Sequence, residues 1–157
     1  MYDVIIIGTG PAGISASLYL IRAKKNILVI SKDNSSLKKA EKIDNYYGLE
    51  SLTGKELFDR GIKQAKELGV NIVKEEVISI DFEDIGKFKV ITENKEYISK
   101  NVIIATGTSR KTPNVKGIKE YEGKGVSYCA ICDAFFYKNK DVAVIGSGNY
   151  AIHEAKT

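Results

Sequence analysis

A chain of 157 residues with 43% hydrophobic and 28% charged side chains can bury a core and is too apolar for a disordered polymer. Its net charge of +4 comes from scattered lysines; runs such as Lys24-Lys25 and Lys38-Lys39 are too short, and too free of interleaved aromatics, for a nucleic-acid stripe. No apolar run approaches the roughly 20 residues of a membrane span, and no secretory leader is legible, so a cytoplasmic protein with no membrane or nucleic-acid partner is expected.

Asp3 to Ile7 reads as a buried parallel strand, from its density of β-branched residues. Gly8-Thr9-Gly10-Pro11-Ala12-Gly13 then opens a helix from about Pro11 to Ala23, with Ile14, Leu18 and Ile21 on one face. Ile27 to Ile30 is a second strand and completes a βαβ unit. Ser31 to Tyr47 is a polar loop with room for one helical turn. Thr53 and Glu56 form a capping box for a helix that carries Leu57, Ile62, Ala65 and Leu68 inward and ends at Gly69. Asn71 to Ser99 is strand-rich, with hairpin turns at Ile85-Gly86-Lys87 and Glu93-Asn94-Lys95.

Val102 to Ala105 is another buried strand, closed by Thr106-Gly107. Thr108 to Gly125, with Pro113 and three glycines, is a linker and a domain boundary. Beyond it lie Cys129-Ala130-Ile131-Cys132-Asp133, the aromatic stretch Phe135-Phe136-Tyr137 and a strand Val142 to Ile145. Gly146-Ser147-Gly148-Asn149-Tyr150-Ala151 then opens a helix that has barely begun at Thr157. This second βαβ unit has no closing strand, and the expectation is a piece of a longer polypeptide.

The two glycine turns carry the same physics. The first glycine lets the strand bend sharply, the second lets backbone touch a pyrophosphate, and the third allows helix and strand to pack closely. The helix N-terminus then aims N–H groups and partial positive charge at the phosphates. An acid is expected at the end of the second strand to bind a ribose; this chain offers Ser31 or, two residues on, Asp33. In the second turn, Tyr150 puts a large ring beside the phosphate track, where it packs sideways or blocks the site.

Cys129 and Cys132 are spaced to close a small disulfide loop, and at a helix start a thiolate is stabilised. Thiol–disulfide exchange needs such a nucleophile and a second thiol to resolve the mixed disulfide. Asp133 is a candidate proton donor and acceptor. A zinc site would need four ligands, and His153 is the only histidine, so two chains would have to share the metal; no metal is expected. His153 itself reads as a solvent-facing helix residue.

Over essentially its whole length the chain resembles the low-molecular-weight thioredoxin reductases, flavoproteins of the pyridine nucleotide-disulfide oxidoreductase group. The resemblance rests on Gly8 to Gly13, Asp44-Asn45-Tyr46-Tyr47-Gly48, Leu52-Thr53-Gly54, Ala105-Thr106-Gly107, Cys129 to Asp133 and Gly146-Ser147-Gly148-Asn149, in the family's order. It implies an α/β fold: a Rossmann-like, three-layer ββα FAD-binding domain, incomplete, over residues 1–112, then the start of a second Rossmann-like domain for NAD(P)H, carrying the CxxC, over 113–157.

It further implies that Gly8, Gly10, Pro11, Ala12 and Gly13 hold the FAD pyrophosphate, while Asn45 and Ala105-Thr106-Gly107 line the flavin side. Cys132 would face the flavin, Cys129 would attack the partner's disulfide, and Asp133 would serve as acid-base. Gly146, Gly148 and Asn149 would meet NADPH. Electrons would pass from NADPH through FAD and the dithiol to thioredoxin or a thioredoxin-like protein, in a homodimer.

Three departures stand out. Asn34-Ser35-Ser36-Leu37 replaces a Gly-Gly-Gln element, Tyr150 replaces a small residue, and the family's chain is about twice as long. The present stretch alone is therefore expected to be inactive and to hold FAD weakly or not at all. Two other readings remain open: a reductase fed by a ferredoxin-type donor, and a non-enzymatic FAD-fold module whose dithiol is a sensor.

Overall fold

Four β-branched residues in succession leave a strand no polar face, and Val4–Ile7 (β1) is buried from end to end. In the computed structural model, which describes residues 1–32, 35–108 and 112–156, β1 lies between two parallel neighbours. These are Ile27–Ser31 (β2) and Val102–Ile104 (β7). Asn71–Lys74 (β3) pairs in parallel with β2, giving the order β3-β2-β1-β7.

Alternation along β1 and β2 divides the core. Val4, Ile6, Ile27 and Val29 pack with Ile14 and Ala65, residues of the helices Pro11–Arg22 (α1) and Gly54–Glu67 (α2). Ile5, Ile7, Leu28 and Ile30 pack with Val90 of an antiparallel meander. Its strands are Val77–Asp84 (β4), Lys87–Thr92 (β5) and Glu96–Ser99 (β6). Helices, parallel sheet and antiparallel sheet thus form the expected three layers. Ile5, Ile6 and Ile30 are fully buried, each side chain contributing on the order of 1.5–3 kcal/mol by leaving water.

Local signals set most element ends. Pro11 starts α1, where its missing N–H costs nothing. Both halves of the capping box form on α2: Glu56 N–H donates to Thr53 Oγ1 (3.1 Å) and Thr53 N–H donates to the Glu56 carboxylate (2.7 Å). Gly69, at φ 88°, turns the chain out of α2. The two hairpin turns fall between β4 and β5 and between β5 and β6, as expected. Among its described residues, the polar loop after β2 contains the 3₁₀ turn Ser36–Lys39.

Three expectations differ. On α2 the buried residues include Phe58, with Leu57 and Ile62 half-buried, whereas Leu68 is 45% exposed. Leu68 is the C-cap, so helical periodicity no longer aims it inward. Strand β7 is only half-buried, and Ile104 is 68% exposed, because β7 is an edge of its sheet. Val142 to Ile145 does not form a strand, and Val142, Val144 and Ile145 are exposed. A strand exists only through its ladder, and no other strand is found among the described residues of this part of the chain.

The chain divides into two units, Met1–Ser109 and Arg110–Thr157. The second holds a short helix Ala130–Asp133 (α3), a 3₁₀ turn Ala134–Tyr137 and the helix Asn149–Lys156 (α4). Among the described residues, no helix is long and apolar enough to cross a membrane.

Glu75, directly after β3, is 8% exposed and ties the meander to the parallel sheet. Its carboxylate accepts from Thr92 Oγ1 (2.6 Å) and Tyr97 OH (2.9 Å). The Thr92 hydroxyl, with Tyr97 adding and burial opposing, holds the Glu75 carboxyl below its ordinary value of 4.5. Burial, reinforced by Glu75, pushes the Tyr97 phenol up to about 12. A lowered folded value means this contribution is complete above pH 4.5 and fades as pH falls through the folded value. Acid melts of the unaltered chain should therefore show a falling Tm below about pH 4.5 that is shallower in Glu75→Gln; equal slopes would refute the linkage. Thr92→Val should cost about 1–3 kcal/mol in urea unfolding, because it strands a buried carboxylate oxygen.

Candidate functional site

The Gly8–Gly13 turn is shaped by where side chains cannot go. Gly8 has φ 116°, and a Cβ there would lie 2.2 Å from the Ala105 carbonyl oxygen. A Cβ on Gly13 would lie 2.0 Å from the Gly8 carbonyl oxygen. The turn is thus wedged between the start of α1 and the Ala105-Thr106-Gly107 segment after β7, which Ala105 N–H anchors to Ile7 O at 2.8 Å. Gly10 is the opposite case: a Cβ there would meet only Ser35 Oγ, at 3.8 Å.

Pro11 and Ala12 are exposed, the first turn of α1 carries no acidic residue, and its N-cap Gly10 supplies no side-chain acceptor. Its early N–H groups therefore have no intrahelical acceptor and point outward beside an open glycine. These residues fit a dinucleotide diphosphate, which could approach the backbone at the open Gly10.

Thr9, 5% exposed, donates its hydroxyl to Ser31 Oγ at 2.9 Å, joining the turn to the end of β2. Asp33 lies outside the described residues. Beside Thr9 and Ser31 opens a cavity of about 500 Å³ lined also by Lys38, Lys63, Lys66 and Lys74. Among the described lining residues the carboxylate is Asp59, ion-paired with Lys55 at 2.7 Å. Four lysines stand among the described lining residues, one of them, Lys63, paired with Glu67 at 3.8 Å, and this excess of cations suits an anionic ligand. Asn45 is exposed in the loop between the 3₁₀ turn and α2, next to Asp44, whose carboxyl Lys42 and Ser51 hold below its ordinary range.

In the second unit, Cys129 and Cys132 form a disulfide with Cα atoms 5.3 Å apart. Cys129 is the N-cap of α3, and its Sγ accepts from Cys132 N–H at 3.2 Å. A sulfur so placed is stabilised as thiolate when the bond opens. Asp133 sits on the same turn, where its carboxylate accepts from Ser127 Oγ at 2.5 Å. Ser127 Oγ also accepts from Cys129 N–H at 3.1 Å, so one hydroxyl links sulfur-bearing backbone and carboxylate. Ser127 was not singled out by the sequence; a serine two residues before Cys129, in position for a local side-chain turn, was the available signal. Among the described residues no His, Cys, Asp and Glu cluster could hold a metal ion.

The second glycine turn repeats the first in part. Gly146 has φ 153°, and a Cβ there would lie 2.8 Å from that of Ala151. Gly148 is open, and Asn149 begins α4. Tyr150 packs sideways: its hydroxyl donates to Tyr128 O at 2.9 Å. His153 is exposed on α4, as expected.

Comparison with known proteins adds three findings. The profile of a family described as "Pyridine nucleotide-disulphide oxidoreductase" matches residues 2–157. The thioredoxin reductases of Ureaplasma parvum and Bacillus subtilis are 42% and 40% identical over 99% and 98% of this chain, which covers 50% and 49% of theirs. The crystal structure of thioredoxin reductase from Streptococcus pyogenes superposes with a TM-score of 0.93 at 35% identity, over 99% of this chain and 51% of that one. The chain spans about half the length of the curated relatives it matches.

Two alanine substitutions separate folding from binding. Gly13→Ala should cost about 3 kcal/mol or more, since backbone must move to admit the methyl. Gly10→Ala should leave the melting curve within about 1 kcal/mol yet weaken ADP binding roughly tenfold or more by narrowing the diphosphate track. Unchanged ADP affinity in a folded Gly10→Ala chain would remove this turn as the phosphate site.

Proposed function

The chain belongs to the pyridine nucleotide-disulphide oxidoreductase family, and within it we propose a flavin-dependent thiol–disulfide oxidoreductase of the thioredoxin-disulfide reductase type. The observation that carries this is the Cys129–Cys132 disulfide, closed across the start of a helical turn with Asp133 one residue on. A Cys-x-x-Cys disulfide at a helix start, with a carboxylate on the same turn, is the arrangement that thiol–disulfide exchange uses.

Residues 1–112 are the FAD-binding part and 113–157 the beginning of the NAD(P)H-binding part. The Gly8–Gly13 turn and the first N–H groups of α1 hold the diphosphate, supported by the room at Gly10 and the closed packing at Gly8 and Gly13. Ser31, steadied by Thr9, offers its hydroxyl to the adenosine ribose in place of the usual acid. The lysines of the neighbouring cavity favour the ligand's negative charge. Asn45 and Ala105-Thr106-Gly107 belong to the flavin end, and Gly146, Gly148 and Asn149 to NADPH. FAD supplies the two-electron step between a hydride donor and a dithiol.

The chain's own residues perform the sulfur chemistry. The Cys129 thiolate, stabilised by Cys132 N–H, attacks one sulfur of thioredoxin's disulfide and expels the other as thiolate. Cys132 then attacks Cys129 Sγ, which releases thioredoxin as a dithiol and re-forms the Cys129–Cys132 disulfide. Asp133, held by Ser127, takes and returns the proton at the departing sulfur. Two electrons leave the chain per cycle, and bound FAD would be the group that restores them from a hydride donor. The working protein is a homodimer.

The test uses the chain reduced with dithiothreitol, freed of reagent and mixed with oxidised thioredoxin. In this single stoichiometric exchange, which needs neither nucleotide and so does not depend on NADPH-driven turnover, thiols should appear on thioredoxin, and Cys132→Ser should accumulate a mixed disulfide through Cys129. Absence of that adduct, with Cys129 demonstrably reduced, would contradict the proposal.

A further inference from the structure

The 129–132 turn is gripped from outside by one helix. Tyr150 and Glu154 stand four residues apart on α4 and so share a face. Tyr150 OH donates to Tyr128 O at 2.9 Å, and the Glu154 carboxylate accepts the Ala130 N–H. Tyr128 and Ala130 are the two neighbours of Cys129, so the peptide groups on either side of that cysteine are both held by α4. Ala130 N–H is the first donor of α3 and has no acceptor within that helix. The Glu154 carboxylate supplies one, and it brings negative charge within one peptide unit of the sulfur. The ionisable side chains carried by these two helices are Asp133 on α3 and His153, Glu154 and Lys156 on α4, of which Glu154 bonds the Ala130 N–H. Helix α4 itself starts at the second glycine turn.

We propose that Tyr150 and Glu154 are positioning residues that clamp the backbone on both sides of Cys129 to the helix of the second glycine turn and so set the reactivity and redox balance of the dithiol. This rests on reading Cys129–Cys132 as the redox pair. Tyr150, which departs from the small residue of the resembling family, thereby has a use other than obstruction. A carboxylate beside Cys129 disfavours the thiolate. It also lowers the stability of the reduced pair relative to the disulfide, which makes the dithiol a stronger reductant.

The experiment compares the unaltered 157-residue chain with Tyr150→Phe, Glu154→Gln and the double variant. Each is equilibrated with dithiothreitol, whose two thiols supply the two electrons and two protons that open the disulfide and which leaves as a cyclic disulfide. Glu154→Gln keeps an acceptor for Ala130 N–H but drops the charge. It should shift the equilibrium toward the dithiol threefold or more and speed alkylation of Cys129 by iodoacetamide at neutral pH by a similar factor.

Tyr150→Phe drops only the hydroxyl. It should raise amide exchange across residues 128–133 tenfold or more, with little change in the equilibrium. If all three variants keep the equilibrium, the alkylation rate and the exchange rates within 1.5-fold, the clamp is overturned. If the unaltered disulfide cannot be opened by dithiothreitol at all, the redox reading falls instead, and exchange in Tyr150→Phe still decides the clamp.

Discussion

Three strands of backbone touch where Gly8, Gly13 and Ala105 meet, and there is no space between them for a single methyl group. That contact fixes how α1 leaves β1, and it holds the segment after β7 against the same corner. The strand order β3-β2-β1-β7 changes direction at β1: the chain runs outward to β2 and β3, then returns to place β7 on the other side. The corner therefore lies at the crevice where open parallel sheets take their ligands. The exposed first turn of α1 and the open face of Gly10 sit at that crevice because the two closed glycines leave the chain no other course.

Much of the fold was legible because strands and helices buried by local pattern declare themselves. The runs Val4 to Ile7 and Ile27 to Ile30 could only be covered on both faces, and they are. Thr53 and Glu56 are sufficient to place the start of α2, since the two hydrogen bonds involved are local. What depended on distant neighbours was less legible. Phe58 and Leu57 stand side by side on α2, and only the packing of the sheet chooses between them. The exposure of Ile104 follows from β7 being an edge. The absence of a strand at Val142 to Ile145 follows from its lack of a ladder.

The candidate site divides along the same line. Glycine turns and a Cys-x-x-Cys pair are sequence-local arrangements, each demanded by its own geometry, and so they could be read directly. Thr9 with Ser31, Ser127 with Asp133, and Glu154 with Ala130 are ordinary residues that acquire roles only when the fold brings them together. Tyr150 shows the limit most plainly: in sequence it is a bulky residue in a phosphate turn, while in the structure it donates to the Tyr128 carbonyl beside Cys129. Its i, i+4 relation to Glu154 was visible, but nothing local says what that face meets.

The most direct measurement is an amide NMR titration of the chain with ADP, using adenosine as the control. Saturable shifts at Gly8, Gly10, Ala12 and Gly13 with ADP, and none there with adenosine, are what a diphosphate cradle at this corner predicts. Shifts confined to other residues at saturating ADP, or identical responses to both ligands, would contradict it.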